Sequence, residues 1–380
     1  MKIAWIVYGS LAERTGGTIY DARIVEGLRA AGDHVEVVSL RQAAAPRARS
    51  RASAELVRRL RRASPDVVVG DELCHEELAR AFSRCAFVRR VLLVHHLMCW
   101  EEELPPLRRA RARVAEALVI RSSDQVVTTS RATAERLRKE GYRGRFDVVL
   151  PGADRLPRAA RVRTAPPSEP TPTRFVFLGS ITARKRVREL VVAFARARIS
   201  AHLRLVGSCD RDPRYARAVE QTVDMSGLRD CVSFTGEIDE RAVARELAAA
   251  DALVMPSSLE GYGIAATEAI HAGIPVIAAH TPALAEALLP AKNAHVLVES
   301  DDDLVDAIRR FVSVPELRAS LTANARAAAM PTWAAAVSAF RDALARSPDP
   351  GRPGGGSRCA CDRPPLEGGR PDRSAPRSPP

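Results

Sequence analysis

The chain has 380 residues, 46% of them hydrophobic and only 4% aromatic, with a formal net charge of +12 at pH 7. That length leaves room for two ordinary domains, and an interior poor in aromatic rings must be filled by Ala, Val, Leu and Ile, which suits helices packed on Val/Ile-rich parallel strands. No apolar run approaches the roughly 18 residues of a membrane span, and seven scattered cysteines without a CxxC pair argue against a disulfide framework or a cysteine zinc site and for a reducing cytoplasm.

The opening MKIAWIVYGSLA is too short in its apolar run for a secretory leader and reads as a first buried strand, Lys2–Tyr8. A polar turn over 9–17 and a helical pattern over 19–31, closed by Gly32, lead to a second strand at His34–Leu40. The alternation continues with helices at 54–62 and 76–82, strands at 66–69 and 90–95, a long helix at 107–121, a short strand at 125–129 and a helix from Ala132. Strands alternating with helices predict a doubly wound parallel sheet.

Five prolines between Arg155 and Thr173 mark a linker. A second α/β set follows, with strands at 175–178, 202–206, 232–235, 252–255 and 275–278, and helices at 187–197, 215–226, 240–250, 264–272, 302–312 and 315–329. The expected division is a first Rossmann-like domain over 1–155, a linker over 156–173, a second Rossmann-like domain over 174–330, and a helix over 331–346 crossing back to the first. Pro and Gly are dense from Ser347 to Pro380, which predicts a disordered tail over 347–380.

Ligands of open parallel sheets bind beyond the carboxyl ends of the strands, so the loops there carry the chemistry. The strongest constellation is Glu260-Gly261-Tyr262-Gly263-Ile264 followed by Glu268, directly after the strand ending at Met255. A carboxylate can accept from vicinal hydroxyls, and amides at a helix N-terminus attract phosphate. Two isolated glutamates could equally be a solvated loop charge and a helix-surface residue.

The stretch EGYGIAATEAIHAGIPVIA resembles the signature of the family 4 glycosyltransferases, retaining enzymes of the two-domain GT-B fold. Other matches stand in the family's order: Gly16-Gly17, His95, Ser130, Pro151-Gly152-Ala153-Asp154, Gly179 with Lys185, and Gly207. The resemblance spans about residues 2 to 345 and implies two doubly wound Rossmann-like domains facing a cleft. It implies that Glu268 takes the ribose hydroxyls of a nucleotide-sugar donor and Glu260 the sugar hydroxyls, with Gly261, Tyr262, Gly263 and Ile264 near the phosphates and sugar. Lys185, with Arg184 beside it, would neutralise the diphosphate leaving group. Gly16, Gly17, Gly179 and Gly207 would let the backbone approach the donor. Of the pair His95-His96, the resemblance favours His95 near the donor sugar and acceptor. Two departures stand out: Ser180 replaces an arginine common in the family, and Arg186 replaces the usual glycine after the lysine.

The same resemblance implies transfer with retained configuration, no cofactor and no metal, the diphosphate sugar being a co-substrate. Asp210-Arg211-Asp212 superficially resembles a metal-binding DxD and reads as a solvated loop. Arginine is dense over 47–62 and 106–121, which offers either a solvated face or a peripheral contact with anionic membrane on the cytoplasmic side. Two rivals to an active enzyme are a catalytically lapsed GT-B partner subunit and a nucleic-acid binder. The second lacks aromatic platforms and recognised modules, so no nucleic-acid partner is expected. The acceptor, whether natural product, lipid or glycan, is not legible.

Overall fold

The computed structural model of the chain describes residues 1–42, 45–158 and 172–346. The first half runs β1 (Lys2–Tyr8), α1 (Gly16–Ala30), β2 (His34–Leu40), α2 (Pro46–Ala63), β3 (Val67–Asp71), α3 (His75–Phe82), β4 (Arg89–Val94), α4 (Pro106–Ser122), β5 (Gln125–Thr128), α5 (Arg131–Lys139) and β6 (Phe146–Val148). Its six strands pair in parallel in the order β2-β1-β3-β4-β5-β6.

The second half runs β7 (Thr173–Leu178), α6 (Val187–Ala197), β8 (Ala201–Val206), α7 (Pro213–Met225), β9 (Val232–Gly236), α8 (Glu240–Ala249), β10 (Ala252–Met255), α9 (Ile264–His271), β11 (Val276–Ala279), α10 (Pro282–Leu288), β12 (His295–Val298), α11 (Asp301–Ser313), α12 (Pro315–Ala327) and α13 (Trp333–Ala345). Its six parallel strands stand in the order β12-β11-β10-β7-β8-β9. Most of the linker expected over 156–173 and all of the tail expected over 347–380 lie outside the described residues.

Each sheet is buried on both faces, as Val/Ile-rich parallel strands require. Ile6, Val68, Leu92 and Val126 face one core with Leu56, Leu78 and Phe82, while Ile3, Trp5, Val69 and Val91 face another with Tyr20, Ile24 and Phe340. In the second half Phe175, Phe177, Leu203 and Leu205 meet Phe194 and Phe311, and Val176, Leu253 and Val276 meet Ala269, Ile270 and Leu284.

The last helix returns to the first sheet. Trp333 and Phe340 of α13 join the core beneath α1, and Phe340 stacks on Trp5 at 5.3 Å between ring centroids. The run Pro151–Asp154 seats this return: the Ala153 amide donates to the Pro331 carbonyl at 2.8 Å and the Trp333 amide to Asp154 Oδ1 at 2.7 Å. A Cβ on Gly152 would collide with the Thr332–Trp333 backbone, so glycine is needed there for the close approach.

Four local differences from the sequence reading have physical causes. Helix α1 begins at Gly16 rather than near Ile19, because Thr15 and Thr18 form a reciprocal capping box that pulls both glycines into the first turn. Strands β6 and β12 and helix α10 were not anticipated: β6 has three half-buried residues, β12 four that are mostly half-buried, and α10 is a seven-residue helix started by Thr281 and Pro282. Among the described residues, no helix is long and apolar enough to cross a membrane.

Candidate active site

The carboxyl ends of the two sheets face each other across a cavity of about 590 Å³. Every residue the sequence singled out for chemistry lines it: Gly16, Gly17, His95, Gly179, Arg184, Lys185, Gly207, Glu260, Gly261, Tyr262, Gly263, Ile264 and Glu268.

On the second-half wall, Gly179 directly follows β7 and Gly207 directly follows β8, both at positive φ (+154° and +149°). A Cβ on Gly207 would run into the Gly179 carbonyl, so this pair packs two strand ends together as well as lining the cleft. The turn after β7 brings Lys185 Nζ to 2.6 Å from Glu260 Oε1, and Arg184 Nη1 to 3.7 Å from Glu260 Oε2. Arg184 also donates to the Leu259 carbonyl and lies 3.6 Å from Glu101 of the first half. Burial alone would raise the Glu260 carboxyl, but the two cations hold it below its ordinary range. Burial lowers the Lys185 ammonium, and the charge of Arg184 adds to that, against Glu260. Arg186 points elsewhere: it occupies a left-handed conformation (φ +52°) at the start of α6 and pairs with Asp301 at 2.7 Å.

Gly263, at φ +112°, turns the chain into α9 and aims that helix's N-terminus into the cavity. A Cβ on Gly261 would stand 2.5 Å from the His95 carbonyl, so the motif's first glycine allows the two halves to touch. Glu268, only 1% exposed, is held by both edges of a guanidinium: Arg155 Nε to Oε1 at 2.6 Å and Nη2 to Oε2 at 2.8 Å. Arg155 also meets Glu240 at 3.0 Å, and Glu240 in turn meets Arg23 of α1 at 3.0 Å. Burial raises Glu268, with Arg155 opposing.

The first-half wall is built from the start of α1 and the ends of β3 and β4. Gly16 and Gly17 form the first turn of α1, and a Cβ on Gly17 would sit 3.2 Å from the His95 ring. His95 turns Nε2 toward Asp21 Oδ1 at 3.4 Å and stands edge-on to Tyr20. Its neighbour His96 bonds Glu101 through Nε2 at 2.8 Å. Glu103 reaches Ser258 Oγ at 2.5 Å, and Glu286 accepts the Arg131 and Ala132 amides at the head of α5, both at 2.9 Å. These contacts join the halves on both sides of the cavity. Ser130 is the N-cap of α5, accepting from the Thr133 amide, and Asp212 caps α7 by accepting from the Tyr215 amide.

Sequence reasoning missed Arg155, Glu240 and the acidic set beneath His95. An arginine directly after Pro151–Asp154 carries no distinguishing signal in a chain with 58 Lys and Arg. Asp21, Asp71 and His95 lie on three elements far apart in sequence, yet their ligand atoms fall within 4.8 Å of one another, as do those of Glu72, His75 and Glu116.

The first half matches the Glycosyltransferase Family 4 model over residues 14–156, and the second matches Glycosyl transferases group 1 over 160–328. The chain is 31% identical over 252 residues to a D-inositol 3-phosphate glycosyltransferase of Xylanimonas cellulosilytica, covering 62% of this chain and 60% of that protein. It is 29% identical over 289 residues to a GDP-mannose-dependent alpha-(1-6)-phosphatidylinositol dimannoside mannosyltransferase of Mycobacterium tuberculosis, covering 73% of this chain and 72% of that one. In fold it is similar to sucrose-phosphate synthase from Thermosynechococcus elongatus (TM-score 0.75, 23% identity, 91% of this chain and 99% of that). It is also similar to Anabaena HepE in complex with UDP and glucose (TM-score 0.73, 19% identity, again 91% and 99%). With one half matching each model and two parallel six-stranded sheets facing a common cleft, the chain belongs to the family 4 glycosyltransferases and has the GT-B fold.

Proposed function

We propose that the protein is a retaining glycosyltransferase that takes a sugar from a nucleoside-diphosphate donor. The observation that carries this is the joint placement of Lys185, Arg184, Glu260 and the N-terminus of α9 around one cavity, with Glu268 deeper along the same wall. The diphosphate fits against Lys185, Arg184 and the first amides of α9, where negative charge grows as the bond from the sugar C1 to the phosphate oxygen breaks. Glu260 fits the sugar hydroxyls and Glu268 the ribose. The acceptor oxygen attacks C1 on the face the diphosphate leaves, and the departing phosphate oxygen takes its proton. Protein cations stand where a metal ion would otherwise neutralise the diphosphate.

The acceptor enters from the first half, past His95, His96 and the turn at 98–105. Helix α4 beside that turn exposes Leu107, Val114 and Leu118 among Arg108, Arg111 and Arg113, a face suited to an anionic bilayer and to an acceptor that carries lipid. The five described cysteines are free, in keeping with a cytoplasmic setting.

The test is calorimetric titration of UDP, GDP, ADP and dTDP, with and without magnesium, into the protein and its Glu268→Ala variant, followed by donor hydrolysis with the matching sugar. Metal-independent binding of one nucleotide, weakened at least tenfold in the variant, supports the donor site. Binding without turnover of any donor would favour a lapsed partner subunit, and no binding at all would sink the reading.

A further inference from the structure

Beneath the first-half wall lies a set of buried ionisable groups that no arginine or lysine neutralises among the described residues. Asp21 is fully buried and neither of its carboxylate oxygens has a hydrogen-bond partner. Asp71, 1% exposed, spends one oxygen on the Leu73 amide at 2.9 Å. His95 Nε2 is also enclosed and unpartnered, 3.4 Å from Asp21. The groups facing this set are Tyr20 from α1, Glu72 and Cys74 after β3, and the His96–Glu101 pair on the cleft side. Glu72 also has both oxygens buried and unpartnered. Among the described residues no arginine or lysine pairs with Asp21, Asp71 or His95.

Two carboxylates enclosed a few ångströms apart cannot both stay ionised without a positive partner. A divalent ion on three protein ligands needs water to complete its shell, and the Asp21 oxygens and His95 Nε2 have almost no surface left to give it. Protons meet the same need without extra room. We propose that Asp21 and Asp71 share one proton and act as positioning residues that hold His95 as an imidazolium, Nε2–H turned to Asp21 and Nδ1–H left for the cleft. The set is then neutral: one negative charge on the carboxylate pair and one positive charge on the ring.

The titration directions agree with that accounting. Burial, then the charge of Asp21, pushes the Asp71 carboxyl up. Burial works against a charged His95, but Asp21 and Asp71 outweigh it and raise the imidazole above its ordinary value. The consequence for chemistry is specific. His95 is a fixed donor to a sugar or acceptor hydroxyl and has no free lone pair with which to act as a base, so the acceptor's proton must go to the leaving phosphate. This step rests on the donor reading above; the charge assignment does not.

The test is imidazole nitrogen NMR on histidine-labelled protein between pH 5.5 and 9, with His95 identified by the signals lost in His95→Gln. His95 is expected to stay protonated through pH 7.5. Asp21→Asn should lower its midpoint by about one pH unit, roughly a tenfold change in proton affinity, and the double variant D21N/D71N should leave it neutral at pH 7. A neutral His95 in the parent protein, a midpoint that D21N does not move, or one bound divalent ion per chain lost in D21N would each overturn the proposal. In parallel, hydrolysis of whichever nucleotide sugar the protein turns over should lose its alkaline limb earlier in D21N, with affinity for the bare nucleotide unchanged within twofold. An unmoved limb would overturn the catalytic consequence. No turnover with any donor would count against the donor reading, while the NMR result still decides the charge on His95.

Discussion

The two walls of the cleft handle buried charge in opposite ways. On the second-half wall the two motif carboxylates have cations: Glu260 has Lys185 and Arg184, and Glu268 has Arg155. On the first-half wall Asp21, Asp71 and Glu72 are as deeply buried and have no arginine or lysine, only the His95 ring beside Asp21. A wall of closed ion pairs holds its geometry over a wide pH range and exchanges partners when a charged ligand enters. A wall whose carboxylates meet only a histidine must share protons, and its charge follows pH. The difference suits the proposed function, in which the second half would trade salt bridges for a diphosphate and the first would present one defined hydrogen-bond donor.

Removing a cation from the closed wall should change the protein most. Arg155→Ala leaves Glu268 buried without a partner, and stripping one side of a buried pair typically costs about 3–5 kcal/mol. Chemical denaturation should show that loss, and R155A/E268Q should recover much of it, because the second change removes the stranded charge. Equal stability of the single and double variants would mean that Glu268 simply takes up a proton and that the pair matters little to the fold. Lys185→Ala comes next. Loss of the charge aimed at the leaving diphosphate should lower donor turnover by about 10²–10³-fold, or 2.7–4 kcal/mol, with Lys185→Arg retaining part of it.

The closed wall was largely legible in the sequence and the open wall was not, for a geometric reason. Glu260, the glycines and Glu268 lie within nine consecutive residues, so one strand-loop-helix unit fixes their mutual positions. Lys185 is distant in sequence but sits at the same kind of place, the turn after a strand, where the topology alone predicts cleft residues. Both parallel sheets were likewise readable from the strand-helix alternation, apart from the short strands β6 and β12 at their edges. Asp21 and Asp71, by contrast, look like an ordinary helix residue and a strand-end acid. Only the packing of α1 against β3 and β4 brings them under His95. Arg155 is hidden in a chain rich in arginine. Gly152 and Asp154 matched the family pattern, and the structure shows what they do: they admit and cap the returning helix α13.

The open wall responds to pH. In the folded chain Asp71 is pushed up to about 7, because burial and then the neighbouring Asp21 charge disfavour its ionised form. A carboxyl raised in this way contributes stability that is complete below the unfolded value and lost as pH climbs through the folded one. Asparagine imitates the protonated acid and has no such loss. The stability of Asp71→Asn relative to the parent should therefore improve between pH 4 and pH 8, by on the order of 1–3 kcal/mol. A constant difference across that range would show that Asp71 is no longer the proton carrier of the set.

The contacts that hold the two walls together carry less energy than either. Glu286 on α10 caps α5 of the other half, accepting the Arg131 and Ala132 amides, with Arg131 Nη1 a further 3.7 Å away. A carboxylate at a helix N-terminus is worth about 1 kcal/mol, and here that energy opposes separation of the two halves rather than unfolding of either. Glu286→Ala should therefore leave the melting temperature nearly unchanged, while small-angle scattering shows a more open average shape and the donor KM rises a few-fold at constant kcat. A fall in kcat instead would mean that the contact is needed in the transition state, and that closing His95 onto Gly261 belongs to catalysis rather than to binding.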